Sequence, residues 1–328
     1  MGWISVFTRR SALLTTTGMQ TAILIYGPTA SGKTDLSLDL ARRLDGEVVN
    51  ADSMQVYRDL KVVSARPDDQ EIQGVPHHLF GHLPARERYS TGRWLRDATL
   101  VIEDIWKRGK TPIVTGGTGL YHLALVEGLS EIPPIPDDVR HEVAHWQEEG
   151  GVDGLYRRLC TLDPDVAARL NAADRQRIVR ALEVFVATGQ SIESFRGQRK
   201  RPILSAGQWL GVALTPPRAR LYARIDKRFE GMLMEGAMEE ARALLAQDLP
   251  DDLPAMKAHG IPWLLAYLRK EMSAEQAAQN AKRDTRRYAK RQFTWIGRQF
   301  PFWVRLPSMT LETRRRVILA LHKDLDGG

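Results

Sequence analysis

The chain has 328 residues, enough for one large domain or two modest ones, and no apolar stretch reaches the length of a membrane-spanning helix. Hydrophobic content of 43% and charged content of 27% are those of an ordinary globular protein expected to work in water. The single cysteine, Cys160, excludes a disulfide framework and a cysteine-built zinc site and suits a reducing cytoplasm, while a net charge of +7 favours an anionic partner.

Residues 1–18 carry Arg9, Arg10, several Ser and Thr, and no acid; they read as a mobile N-terminal extension ahead of Met19, with an organelle address as the competing reading. The apolar run Ala22–Tyr26 predicts a buried strand, and Leu36, Leu40, Ala41 and Leu44 predict a helix over 35–44. Between them stands Gly27-Pro28-Thr29-Ala30-Ser31-Gly32-Lys33-Thr34, a complete phosphate-binding loop. Successive backbone N–H groups and the positive end of the following helix hold a di- or triphosphate. Lys33 is placed to neutralise phosphate oxygens and Thr34 to hold Mg²⁺. The loop leaves open whether those phosphates belong to ATP.

A second strand, Glu47–Ala51, leads into Asp52-Ser53-Met54-Gln55-Val56-Tyr57. A helix over 93–108 and a strand over 110–115 follow, closed by Gly116-Gly117-Thr118-Gly119. This alternation predicts an α/β fold, a P-loop NTPase-like parallel sheet flanked by helices, with ligands at the carboxyl ends of its strands. The phosphate loop, the Asp52 segment and the Gly116-Gly117-Thr118 turn should therefore meet on one rim. His77, His78 and His82 have no carboxylate spaced to complete a metal site, so no metal beyond Mg²⁺ is expected.

The Pro-rich break Ile132–Pro136 opens a strand-free, charged segment, and a strand returns over 208–214. Residues 137–196 thus read as an all-helical insertion domain in a core made of 19–136 and 197–328. One long helix is predicted over 217–247 and another over 273–298. From 282 to 298 the second carries Lys282, Arg283, Arg286, Arg287, Lys290, Arg291 and Arg298 against the one acid Asp284, with Tyr288, Phe293 and Trp295 interleaved. Such a helix suits RNA phosphates through its cations, while its aromatics equally suit the core.

Motif logic alone leaves Asp52 as either a second Mg²⁺ helper or a general base, and leaves a small-molecule or nucleoside kinase using ATP as the first reading of the loop. The wider pattern points elsewhere. The loop, the Asp52–Tyr57 segment, Gly116–Tyr121, Asp174–Glu183, Arg224–Phe229 and Thr285–Trp295 together resemble the tRNA dimethylallyltransferase (tRNA isopentenyltransferase) family over about residues 20–300. The loop is common to many NTPases; the Asp-Ser-x-Gln-x-Tyr and Ala-Lys-Arg-Gln-x-Thr-Trp runs are far more specific. An adenylate prenyltransferase acting on free nucleotides is the nearer alternative, and it typically lacks the helical insertion.

The resemblance implies transfer of a dimethylallyl group from dimethylallyl diphosphate to N6 of adenosine 37 in tRNAs reading codons that begin with U. It implies Mg²⁺, a cytoplasmic monomer without membrane attachment, and a phosphate loop that serves the prenyl donor. It assigns catalysis to Asp52, Thr29, Lys33 and Arg228, and donor binding to Gly27–Thr34 with Arg224. It assigns tRNA contacts to Asp52, Ser53, Met54, Gln55, Thr118, Arg140, Gln176, Arg177, Ile178, Val179 and Arg180. Gln55, able to present donor and acceptor together, would read the base flipped into the site. Further tRNA contacts fall on Ala258, His259, Gly260, Ile261, Pro262 and Trp263. There the chain departs from the family's usual Gly-Tyr-Arg or Gly-Tyr-Lys run, and His259 or Trp263 would substitute by stacking on a base.

Overall fold

The computed structural model describes residues 20–195, 201–307 and 309–326. The extension read over 1–18 and Arg196 lie outside the described residues. Two compact units divide the chain after Leu123 and after Ile203.

In the first unit, β1 (Ala22–Tyr26), β2 (Gly46–Asn50), β3 (His77–His78), β4 (Thr111–Gly116), β5 (Trp209–Leu214) and β6 (Val304–Leu306) form one sheet in the order β3-β2-β4-β1-β5-β6. Every pairing between neighbours is parallel, with Ile23 beside Ile113 and Leu210 across the centre. Helices α1 (Lys33–Arg43), α3 (Thr91–Lys107), α11 (Ala274–Gln299) and α12 (Leu311–Asp326) belong to this unit, as do the short α2 (Asp69–Ile72), α8 (Arg218–Met234), α9 (Ala237–Leu245) and α10 (Ile261–Leu268). α4 (Gly119–Glu127) follows β4. Parallel strands need crossover connections, and crossover helices cover both faces, so the strands read as unbroken apolar runs. β1 accordingly buries all five of its residues, and Leu36, Leu40 and Ile318 pack from α1 and α12 against Ile23, Ile113 and Val212.

The helix predicted over 217–247 is broken. α8 ends at Met234, and Gly236 adopts φ 112° before α9 starts at Ala237. A side chain is disfavoured in that backbone region, so glycine makes the corner. The periodicity of apolar residues carried across it concealed the break. The elements α10, β6 and α12 were not predicted as such; the sheet edge strands are only two and three residues long, too short to show a period.

The second unit is helical among its described residues: α5 (Asp137–Leu162), interrupted at Gly151 (φ 59°), α6 (Pro164–Ala167) and α7 (Arg175–Thr188). Its core is Val143, Leu155, Leu159, Val166, Ile178, Ala181 and Leu182.

One charge is buried inside the sheet. Glu47 on β2 has a 1% exposed side chain; it accepts from both terminal nitrogens of Arg108 and from the ring of His78 at 2.7 Å. The Arg108 hydrogen bonds, followed by that of His78, hold its carboxyl down at about 2 against the opposing effect of burial. A depressed carboxyl stabilises the fold above its unfolded pKa of about 4.3, and the contribution disappears as pH falls through the folded value. Glu47→Gln should therefore cost roughly 1.5–3 kcal/mol at neutral pH, and the gap from wild type should close between about pH 4 and pH 2. Urea melts across that range check it; a gap independent of pH would show that the ion pair contributes nothing to stability.

Candidate active site

Parallel pairing brings the carboxyl ends of β1, β2 and β4 to one edge, and the turns that follow them line a common cavity of about 460 Å³. Thr29 to Thr34 form one wall, with Asp52, Gln55, Thr115 and Gly116 opposite and Arg224 and Arg228 closing it from α8. The i, i+4 spacing of the two arginines does place both on the cavity. The loop turns through Ala30 at φ 61° and Gly32 at φ 85° and then enters α1 directly at Lys33. Lys33 folds back, its Nζ donating to the carbonyls of Gly27 (2.9 Å) and Pro28 (3.0 Å). Burial, with Arg228 assisting and Asp52 opposing, lowers its ammonium pKa to about 8.

Asp52 is held by its neighbours. Asn50, fully buried, accepts from the Asp52 N–H (2.8 Å) and donates to the Asp52 carbonyl (3.0 Å). Asp52 Oδ1 accepts the Met54 N–H at 3.0 Å, which leaves Oδ2 for a ligand. The Ala51 N–H donates to Thr115 and the Thr118 N–H to Ala51, so the tail of β2 is stapled to the turn after β4. That approach is close enough to require glycine, because a Cβ on Gly116 would stand 2.1 Å from the Ala51 carbonyl. Thr118 Oγ1 accepts the Ser53 N–H at 2.9 Å and continues the staple.

A second, smaller cavity of about 70 Å³ adjoins the first, sharing Thr29, Asp52, Ser64 and Arg228. Its other walls are largely apolar, with Met54, Val63, Phe229, Met232, Ala258 and Tyr288. This volume is far below the roughly 300 Å³ at which pockets for drug-sized ligands begin, so it suits a short hydrocarbon group. Burial, then the nearby Asp52 charge, raises the Tyr288 phenol well above its ordinary range. Burial lowers His259, whose ring lies 4.2 Å from that of Tyr288.

Other residues read from the sequence take different places. Both amide hydrogens of Gln55 are spent on the carbonyls of Ser64 (3.1 Å) and Ala65 (2.9 Å), so in this arrangement only its carbonyl oxygen is left for a base edge. Ile178 and Ile261 are completely buried, Ile178 within the core of the helical unit, and Gly260 is buried too, while Ala258, also buried, lines the smaller cavity. Trp263 donates its indole N–H to Asp284 at 2.9 Å instead of standing free. Arg177 is 73% exposed beside Asp174, while Arg140 and Arg180 share Glu183 at 3.7 and 3.6 Å. On α11, Lys282 pairs with Glu230 and Arg286 with Asp226, so part of that basic run serves to hold α8.

Gln292 stands inside the Ala-Lys-Arg-Gln-x-Thr-Trp run, and no role of its own is assigned to it by motif or resemblance. It is 3% exposed, accepts the Thr29 N–H at 3.1 Å and donates to the Gly117 carbonyl at 2.8 Å. The available signal was a polar residue on the buried stripe Ala289, Gln292, Ile296 of α11.

A phosphate-loop sequence at the head of a parallel sheet, two arginines lining the same cavity and a carboxylate shared with a smaller apolar pocket place this chain among the P-loop-like α/β proteins. Residues 55–299 match the IPP transferase family profile and residues 20–80 the isopentenyl transferase profile. The chain belongs to the IPP transferase family. It is 58% identical over 308 residues to the tRNA dimethylallyltransferase of Hyphomonas neptunium, covering 94% of this chain and 98% of the relative. It is 49% identical over 288 residues to that of a Bradyrhizobium species, covering 88% and 94%. Among solved structures it is similar to a tRNA isopentenylpyrophosphate transferase from Bacillus halodurans (33% identity, TM-score 0.68, 94% and 97% covered). It is likewise similar to a eukaryotic dimethylallyltransferase acting on tRNA (29% identity, TM-score 0.79, 94% and 80% covered).

Proposed function

We propose that this chain transfers the dimethylallyl group of dimethylallyl diphosphate to N6 of adenosine 37 in tRNAs that read codons beginning with U. The observation that carries the reading is the pair of adjoining cavities that share Thr29, Asp52, Ser64 and Arg228. The diphosphate lies in the larger against the loop amides, Lys33, Arg224 and Arg228, and the five-carbon group enters the smaller. The C1–O bond of the donor breaks and an N6–C1 bond forms. Asp52 Oδ2 takes the N6 proton, which makes a delocalised amine an adequate nucleophile, and diphosphate leaves. Lys33, Arg228 and the Thr29 hydroxyl meet the charge that grows on the leaving group.

The cavity that holds Thr34 is lined by hard oxygen donors from Thr34, Asp35, Glu71 and Asp52, with His77 as well, and the described residues contain no cluster of three or more His, Cys, Asp or Glu side chains able to hold a metal by itself. That donor set fits Mg²⁺ held by Thr34 and substrate phosphates with water completing the shell. When bound, the ion would neutralise diphosphate charge. No described helix is long and apolar enough to cross a membrane, and Cys160 is exposed and unpaired. By resemblance to the family, the enzyme is read as a cytoplasmic monomer.

The deciding experiment is mass spectrometry of nucleosides from anticodon stem-loops incubated with enzyme, Mg²⁺ and dimethylallyl diphosphate. An added dimethylallyl group on adenosine is the expected result. ATP should not be consumed, and stoichiometric ADP release would favour the kinase; a product formed only on free adenylate would favour the nucleotide prenyltransferase.

The exposed cations of α7 supply a second expected result. Arg177→Glu with Arg180→Glu should raise the apparent KM for tRNA and reduce the log–log salt slope by roughly 0.7–0.9 for each phosphate that is no longer neutralised. Donor KM should stay within about twofold, since the phosphate cavity is built wholly from the other unit. An unchanged slope would assign these arginines to their ion pairs with Asp174 and Glu183.

A further inference from the structure

We propose that Gln292 is a positioning residue for the transfer, its side-chain amide setting the separation between the phosphate loop and the turn behind Asp52. This inference rests on the transfer reaction proposed above.

The amide uses its two ends on two parts of the site that are remote in sequence. Its oxygen accepts the N–H of Thr29, in the loop assigned to the diphosphate, and its nitrogen donates to the carbonyl of Gly117. Gly117 is next to Asp52: a Cβ placed on it would lie 2.3 Å from Gln292 Nε2 and 3.2 Å from Asp52 Oδ2. Glycine at 117 therefore leaves the room in which the amide and the carboxylate approach the same point. The Tyr288 hydroxyl, one turn earlier on α11, donates to the same carbonyl at 3.2 Å. The Tyr26 hydroxyl, at the end of β1, donates to the Gln292 backbone carbonyl at 3.4 Å. The amide is thus locked at both ends and along its own backbone, and at 3% exposure no bulk water competes for its bonds.

The chemical consequence is geometric. The breaking C1–O bond belongs to the diphosphate in the loop, and the proton acceptor belongs to the β2 rim. Covalent chain connects these two parts only through α1 and β2, so their relative placement depends on noncovalent struts. A displacement of one ångström between reacting groups costs on the order of a hundredfold in rate. Gln292 spans that gap directly, whereas the Asn50 and Thr118 bonds hold Asp52 to its own side. A side chain that merely filled space here would be apolar, as Ala289 and Ile296 are on the same stripe. An amide can both accept from the loop and donate to the turn.

The test compares wild type with Gln292→Met, which keeps the length and removes both bonds, and Gln292→Glu, which keeps an acceptor for Thr29 and loses the donor to Gly117. Binding-competent sites are counted by titration with anticodon stem-loop RNA, loop integrity is followed by affinity for inorganic diphosphate, and single-turnover transfer is measured per competent site. Turnover per site should fall about 10- to 100-fold in Gln292→Met and at least as far in Gln292→Glu, whose carboxylate would face the Gly117 carbonyl beside Asp52. Affinity for diphosphate and for RNA should stay within about threefold. A purely structural residue would lower the number of competent sites and leave the turnover of each unchanged, and that outcome overturns the proposal. Should Gln292→Met not fold, Gln292→Glu decides on the same ratio, and a wild-type rate per site again overturns it. Wild type serves as the control on the underlying reading: if it transfers no dimethylallyl group, the reaction assignment fails, whereas transfer by wild type with unimpaired variants removes only the role of Gln292.

Discussion

Replacing Asp52 with alanine is expected to lower single-turnover transfer by about 10²- to 10⁴-fold, the range over which a positioned general base acts. The adenine N6 lone pair is delocalised into the ring, so bond formation to carbon needs the N6 proton to leave as the bond forms. Asp52 is the carboxylate common to both cavities, with one oxygen occupied by the Met54 N–H and the other unengaged by a hydrogen bond. Asp52→Asn is the sharper companion. It preserves the acceptor for Met54 and the shape of the rim, yet cannot take a proton at pH 7. Stem-loop affinity, read by fluorescence anisotropy, should remain within about tenfold for both variants. An asparagine variant turning over near the wild-type rate would mean that another group removes the proton.

Lys33→Ala should reduce kcat/KM for the prenyl donor by about 10²- to 10³-fold, comparable to removing one donor aimed at developing negative charge. The Lys33 ammonium sits between the loop carbonyls of Gly27 and Pro28 and senses both Asp52 and Arg228. Its removal takes away a half-buried positive charge from the place where the leaving diphosphate becomes more negative. Arg228→Ala should act in the same direction, because Arg228 lies at the junction of the two cavities. The KM for stem-loop RNA should change little in either variant. Steady-state kinetics with each substrate varied in turn measure the contrast, and an equal loss toward both substrates would assign these cations to folding of the rim.

The sequence made some parts of this molecule plain because the information was local. Ala22–Tyr26 is an apolar run of strand length, and it is β1 to the residue. The Gly32-Lys33-Thr34 junction needs a glycine at positive φ followed at once by a helix, and both conditions are visible in adjacent letters. Other parts were hidden for equally physical reasons. The helical period of 218–245 runs through Gly236, so the break between α8 and α9 depended on one backbone angle. Ile178 and Ile261 lay inside segments assigned to RNA by position, but only packing tells which residues of a helix turn inward.

The division follows from the range of the interactions involved. Residue order alone determined that a phosphate loop, an Asp52 rim and a glycine turn stand at the ends of parallel strands, because strand, loop and helix propensities act within a few residues. What the tertiary structure decided is how those turns face one another. Gln292 lies 263 positions from Thr29 and 175 from Gly117, and only the folded chain brings its amide between them. Glu240 of α9 accepts three successive backbone N–H groups, from Lys61, Val62 and Val63, across nearly 180 positions, and so sets the wall of the apolar cavity. Contacts of that separation are stabilised collectively, by the burial of the whole sheet and its helices, and leave no periodic trace in the segments that make them.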